Sequence, residues 1–227
     1  MSANNIFDNL LALPLFLGMT KTDLQKAAGL TRFDFRKVAE GEVIVEKGEA
    51  CRHIYFLIDG DIIVRTLSED GEYSIEEDIY APEIFQPEFI FGLHQYFTHT
   101  YIAKHNCSLL CIEKQEVQKL ASIFEIFRIN LLNWVCTKSQ KLNKYIKRTP
   151  PHTLKQRIVR FFEINCLRPS GEKVFYIKMN RLADELNDSR INISKALNQL
   201  EEDGLLYLYR ARINIPSLEK LIEKGNK

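Results

Sequence analysis

Apolar and polar positions alternate along this chain in three successive textures, and each predicts a different kind of element. The first forty residues read as two short helices, with Thr20-Lys21-Thr22-Asp23 shaped as a capping box whose N-cap is Thr20. From Val38 onward the pattern becomes short β-branched and aromatic runs, punctuated by Gly41, Gly48, Gly60 and Gly71. Ile54–Ile58, then Asp59-Gly60-Asp61, then Ile62–Val64 predicts a hairpin, and Ser68–Glu72 turns a second one. Short strands continue to Ile112 at the spacing of a small barrel or jelly roll. The third texture runs from Glu113 to Lys147 without Gly or Pro. There Phe124, Leu131, Val135, Leu142 and Tyr145 fall three, four or seven apart, near the coiled-coil period. That stripe predicts one long helix, buried either on the barrel or on a second copy of the chain. Its length and basic flanks favour the homodimer.

Thr149-Pro150-Pro151-His152 must end that helix, because neither proline suits a helix interior. Thr153 can cap a following helix, Leu154–Leu167, with Ile158, Phe161, Phe162 and Asn165 inward; a turn at Ser170-Gly171-Glu172 then leads into a strand, Lys173–Ile177. Leu182, Ala183 and Leu186 form the apolar face of a short helix that breaks at Asn187-Asp188. Ser189 caps a second helix, which buries Ile193, Ala196, Leu197 and Leu200 and stops at Asp203-Gly204. Leu205–Tyr209, Arg210-Ala211-Arg212 and Ile213–Ile215 then make a small hairpin. Two short helices with a tight turn and a following wing are helix-turn-helix patterning. A generic helical pair shares the periodicity, but the wing, the basic balance and the small Ala183 favour DNA binding.

Charge sharpens this division. Residues 1–120 hold 11 Lys+Arg against 19 Asp+Glu, residues 121–148 hold 6 against 1, and residues 149–227 hold 14 against 10, all within a net charge of +1. An acidic first half repels polyanions and a basic second half attracts them. With 227 residues, 45% hydrophobic and 27% charged, the composition is globular and long enough for two domains. The longest apolar run, Leu10–Met19, is broken by Pro14 and Gly18 and has no Lys or Arg in its N-terminal flank, so neither a bilayer span nor a signal peptide is expected. The five scattered cysteines lack a CxxC pair and suit a reducing cytoplasm. Cys107 and Cys111 share one strand face, where small core hydrophobes are favoured over a metal or redox pair. No Ser/His/Asp motif, phosphate loop or H-x-H metal cluster argues for an enzyme, so no catalytic residue and no metal is expected.

The N-terminal Pro14-Leu15-Phe16, the glycine-spaced barrel, the long helix and I-x-x-x-x-L-A-x-x-L…S-R…L…L-E-x-x-G-L-L from Ile177 to Leu206 together resemble the Crp/Fnr superfamily of transcription regulators. The resemblance covers essentially the whole chain. It implies an α+β architecture: a double-stranded β-helix (jelly-roll) effector domain over 1–115, a dimerisation helix over 116–148, and a winged helix-turn-helix over 149–227. The implied partners are double-stranded DNA, a second copy of the chain, a small-molecule effector and RNA polymerase, with no membrane. Residue by residue, Ser189 and Arg190 match the S-R that opens the family's recognition helix, and Arg190 would read a guanine edge. Lys195 matches a position usually basic in the family. The family's Glu after S-R is Ile191 here, which points to a different half-site and a thymine methyl contact, and Asn192 is a candidate for adenine. Lys178 and Arg181 before the recognition helix, with Arg210 and Arg212 on the wing, are expected at phosphates.

In cyclic-nucleotide-binding members the phosphate cassette reads G-E…R-S or R-T. An ungapped alignment through Ile84-Phe85 and Ala103 puts Gln86-Pro87 over G-E and Phe97-Thr98 over R-S. Only the Thr98 hydroxyl survives, so an effector other than cyclic AMP is expected, because an unpaired buried phosphate is costly. The N-terminal cysteine cluster of iron–sulfur members is also missing. What remains is an apolar effector pocket from Phe85, Phe89, Phe91, Tyr96, Phe97 and Thr98, beside Ile84 and Tyr101, with His94, His99 and His105 nearby. Haem with one histidine ligand would suit such a pocket; core packing without a ligand is the weightier reading, and the cofactor is left unassigned. The rival to a DNA-binding regulator is a ligand-binding barrel protein whose C-terminal helices serve protein contacts only.

Overall fold

The computed structural model describes residues 10–225, apart from the side chains of residues 145 and 146. They form two compact units: residues 10–62 with Ile79–Ile146, and Ile63–Asp78 with residues 147–225. The fold class is α+β.

The first unit opens with α1 (Lys21–Leu30), whose N-cap Thr20 forms the reciprocal capping box with Asp23. Strands β1 (Asp34–Val38), β2 (Val43–Val45), β3 (His53–Asp59), β6 (Glu83–Phe85), β7 (Thr100–Ala103) and β8 (Cys107–Glu113) follow. One antiparallel sheet has the order β1-β8-β3-β6, while β2 pairs with β7 through Val43↔Ile102. Phe16, Phe56, Phe85, Phe97 and Phe127 fill the interior with essentially no solvent exposure. Burying these aromatic side chains, with the aliphatic residues around them, stabilises the unit.

Two expectations are corrected here. Asp59-Gly60-Asp61 does not turn a hairpin: β3 pairs with β8 and β6, while β4 (Asp61–Leu67) lies in a different sheet. Gly60 turns a corner instead, at φ 95°, where an added Cβ would lie 2.8 Å from the Cβ of Cys107. Only glycine fits both the backbone and that approach. Second, the long helix is two helices, α2 (Lys114–Ile123) and α3 (Glu125–Ile146), bent by 117° at Phe124. Phe124 leaves the helical region (φ −108°, ψ 106°), and its side chain is buried. A pattern without Gly or Pro does not reveal such a break.

The second unit contains α4 (Leu154–Ile164), β9 (Lys173–Tyr176), α5 (Met179–Glu185), α6 (Arg190–Glu202), β10 (Tyr207–Tyr209), β11 (Arg212–Ile215) and α7 (Leu218–Gly225). Thr153 caps α4 in a capping box with Gln156, and Ile158, Phe161 and Phe162 face inward. Asn165, expected on that face, is half-buried. Phe162 and Phe175 pack at 4.7 Å over Leu182, Ile193, Leu197, Leu200 and Ile213. The hairpin of β4 and β5 (Ser74–Tyr80) completes this unit, giving the sheet order β10-β11-β9-β5-β4. β5 pairs antiparallel with β9 from Ser74↔Tyr176 to Glu77↔Lys173. Beneath that pairing Lys173 Nζ lies 2.7 Å from Glu77 Oε2, with side chains 1% and 0% exposed. Among the described residues, no single helix is long and apolar enough to cross a membrane.

Candidate functional site

The α5–turn–α6 segment is built so that a row of polar side chains at the start of α6 stays in solvent. Leu182 and Ala183 bury α5, and Ile193, Ala196, Leu197 and Leu200 bury α6. Between them Asn187 takes a left-handed conformation (φ 47°), and the Asp188 N–H donates to Ala183 O at 3.0 Å. Asp188 is the keystone of the turn. Its carboxylate accepts from the Ser189 N–H at 2.8 Å, from Asn192 Nδ2 at 2.9 Å and from the Arg157 guanidinium, which also donates to Leu186 O at 2.8 Å. The Asn192 hydrogen bond, then the Ser189 amide, hold the Asp188 carboxyl below the usual carboxylate range. Arg157 and Asp188 therefore position the turn from outside α6. Sequence patterning gave no sign of Arg157, 31 residues away.

The expected base readers divide into two kinds. Ser189 is the N-cap, its Oγ accepting from the Asn192 N–H at 3.2 Å, and the Asn192 side chain is tied to Asp188. Asn192 is thus not free for adenine as expected; a capping requirement of the helix has claimed it. Arg190 and Lys195 stand exposed, and among the described residues no protein acceptor holds either. Ile191 projects beside them, 68% exposed, an apolar side chain at the solvent face of the first helical turn.

The expected phosphate contacts also diverge. Lys178, at the N-cap of α5, and Arg210, at the wing tip, are exposed. Arg212 donates from Nε to Asn214 Oδ1 at 2.7 Å and lies over the rings of Tyr209 and Tyr176, at 5.4 and 6.0 Å. Those two tyrosines, unremarked in the sequence, hold its planar guanidinium in place. Arg181 is a correction: it is not open to solvent anions but is held by carboxylates, with Asp70 at 2.7 Å, Glu72 at 3.0 Å, and Glu185 on its own helix. Its Nε is buried without a hydrogen-bond partner. The hairpin that supplies Asp70 and Glu72 was not expected in this unit.

In the first unit, two of the aromatic residues expected to line a pocket, Phe85 and Phe97, pack against Tyr55 and Tyr101. Phe85 stacks on Tyr101 at 4.3 Å, and Tyr55 lies 6.0 Å from both Phe85 and Phe97. Phe85 and Phe97 are core, Phe89 and Phe91 are half-buried, and Tyr96 is 57% exposed beside an isolated bridge to Ala50. At the cassette position Gln86 turns into the left-handed region (φ 40°) and its side chain closes on Thr98, accepting the Thr98 N–H at 3.0 Å and donating to its hydroxyl. The amide and hydroxyl that would face a phosphate are thereby occupied by a neutral partner. Among the histidines, His94 and His105 are exposed, His105 meeting Asp61 at 2.8 Å. Burial, then Lys138 and Lys47, press His99 down to about 4. No group of three His, Cys, Asp or Glu side chains able to hold a metal occurs among the described residues. Cys107 and Cys111 are buried thiols, and burial raises both, Cys111 to about 11.

Helix α3 has two different faces. Phe127 and Leu131 are buried, Trp134 Nε1 donates to Glu88 at 3.1 Å, and Asn130 Nδ2 donates to Leu15 O and Leu17 O at 3.1 and 2.8 Å. On the other side Ile129, Leu132, Val135 and Leu142 are 45, 53, 42 and 65% exposed. The expected stripe is corrected accordingly: Phe124 and Leu131 are covered within the chain, and only Val135 and Leu142 belong to the open face. The side chain of Tyr145 lies outside the described residues.

Residues 35–123 match the cyclic nucleotide-binding domain family. No curated protein sequence matches the chain. Among solved structures, it is similar to a protein from Eubacterium rectale ATCC 33656 assigned to the crp/fnr family of transcriptional regulators, with TM-score 0.55 and 18% identity, covering 95% of this chain and 98% of that one. The catabolite activator protein of Thermus thermophilus gives TM-score 0.53 and 18% identity over 94% and 98%. The sensor domain of the transcriptional regulator DNR from Pseudomonas aeruginosa gives 0.52 and 18% over 66% and 97%. The chain therefore has the fold of the Crp/Fnr regulators, with a cyclic nucleotide-binding-type domain followed by a winged helix-turn-helix.

Proposed function

We propose that this protein is a homodimeric, sequence-specific DNA-binding transcription regulator whose effector is not cyclic AMP. The observation that carries the reading is the start of α6, where Arg190, Ile191 and Lys195 project into solvent from a helix whose turn is braced from behind by Asp188 and Arg157. A guanidinium in the first turn of a recognition helix can pair with guanine O6 and N7, and the apolar Ile191 beside it suits a thymine methyl. Lys178, Arg210 and the ring-supported Arg212 would supply the sequence-independent attraction to phosphates. The open face of α3 supports a second copy as partner: four large apolar side chains on one 22-residue helix extend over roughly 20 Å, which a two-fold pairing buries. In the barrel, the Gln86 side chain occupies the Thr98 amide and hydroxyl, and the buried Phe97 offers no charge to a cyclic phosphate.

Gel shifts against a promoter-fragment library test the reading. A specific band is expected, and Arg190→Ala should cost about 1–3 kcal/mol on that fragment while changing binding to random DNA little. Equal losses on both would make Arg190 a phosphate contact; no specific band under any effector condition would overturn the proposal.

A further inference from the structure

The hairpin tip and its flank, residues 66–78, hold six carboxylates and no cation, yet this segment packs against the remainder of a unit that carries 14 Lys+Arg against 10 Asp+Glu over residues 149–227. Two separate attachments hold it there. The stem is fixed by the β5–β9 ladder and the buried Glu77–Lys173 pair, with Glu77 also accepting from the Leu167 and Arg168 N–H groups at 2.6 and 3.3 Å. The tip is held differently: Asp70 and Glu72, 43 and 59% exposed, meet Arg181 at the surface. Exposed pairs of this kind are individually weak and exchange readily, whereas a buried pair does not.

Arg181 lies in α5, the first helix of the helix-turn-helix, and that helix crosses the nucleic-acid backbone when the second enters the groove. A guanidinium there would meet phosphate oxygens. Here it meets two carboxylates presented on a neighbouring turn, in addition to Glu185 on its own helix. We infer that the hairpin tip is an internal substitute for backbone phosphate: Asp70 and Glu72 occupy Arg181, and DNA must displace them before the first helix can dock. The inference rests on the DNA-binding reading above. Because the stem stays anchored, the tip is always at high effective concentration, so the clasp acts as a threshold that excludes weakly bound DNA. The polyanion that opens it is the DNA itself.

The test compares wild type, Asp70→Asn/Glu72→Gln, and the same double variant carrying Arg181→Ala, by fluorescence anisotropy on a mixed-sequence duplex over a salt series. The double variant should bind about 3- to 30-fold tighter with a salt slope steeper by about one ion, and Arg181→Ala should abolish that gain. Hydrogen exchange should find the Ser74–Glu77 amides as protected in the double variant as in wild type. Equal binding by wild type and double variant would overturn the clasp while leaving DNA binding intact. A gain that survives Arg181→Ala would overturn it too, since long-range repulsion then accounts for the effect. Loss of Ser74–Glu77 protection would mean that tip and stem are one attachment, against the inference. If none of the three binds DNA, the functional reading itself falls, and the clasp with it.

Discussion

Removing one member of the Glu77–Lys173 pair should be far more damaging than removing both. The two side chains are 0% and 1% exposed and 2.7 Å apart, so neither charge has water to fall back on. In Lys173→Met the Glu77 carboxylate keeps the Leu167 and Arg168 amides as donors, and the expected cost is about 3 kcal/mol, the low end for an orphaned buried charge. Glu77→Ala strands the ammonium and also both amides, adding roughly 1–3 kcal/mol for unmade hydrogen bonds to about 3–5 for the charge. Glu77→Gln/Lys173→Met removes both charges yet retains an amide oxygen for Leu167, and should return to within about 2 kcal/mol of wild type. The only tryptophan, Trp134, belongs to the other unit, so its fluorescence does not report this one. Hydrogen exchange at the interior amides of α6 does, and gives a local unfolding free energy for each variant. If the Lys173→Met and double variants lose the same stability, the cycle shows no coupling, and the pair is not the anchor that its burial implies.

Replacing Leu132 and Val135 with Asp should yield a folded monomer by sedimentation, whereas Leu131→Asp should destabilise the barrel instead; a dimer that persists in the first variant would place the seam elsewhere. Calorimetry should detect no binding of cyclic AMP or cyclic GMP, and micromolar affinity for either would overturn the reading of Gln86, Phe97 and Thr98. His99 titrates near 4 in the folded chain against 6.5 unfolded, so between those values the unfolded state binds more protons. Its contribution is complete above pH 6.5 and is lost as pH falls toward 4, up to about 3 kcal/mol, and His99→Gln should flatten that slope in urea titrations followed by Trp134 fluorescence. An unchanged slope would assign the acid sensitivity to other groups.

Local chemistry was readable wherever it was decided by neighbours in sequence. The Thr20–Asp23 box, the Thr153 and Ser189 caps, the end of α6 before Gly204, the inward Ile158, Phe161 and Phe162 of α4 and the inward face of α6 all stand as the pattern implied. What failed was decided at a distance. Nothing in Asp59-Gly60-Asp61 says that the following strand leaves for another sheet, because a corner and a hairpin use the same residues. Phe124 and Leu131 fit the coiled-coil period, but periodicity marks apolar positions without saying which of two partners covers them. In the candidate interface, the exposure of Arg190 and Lys195 was legible, because both fall off the apolar face formed by Ile193, Ala196, Leu197 and Leu200. Arg181 was not, since its carboxylate partners Asp70 and Glu72 lie more than a hundred residues earlier.

That separation also fixes an order of events during synthesis. The hairpin leaves the ribosome long before the strand that completes its ladder: Ser74 pairs with Tyr176, and the Tyr176 hydroxyl reaches Glu76, 100 residues earlier. Throughout that interval the outer edge of β5 is an open row of peptide groups able to pair with another nascent chain. Glu76, Glu77 and Asp78 lie on or just beside that edge, and the turn adds Glu69, Asp70 and Glu72. Two such edges therefore repel each other, while the basic strand end at Lys173, when it arrives, is attracted. The acidity of the hairpin thus guards the growing chain against self-association until its own partner strand has been made.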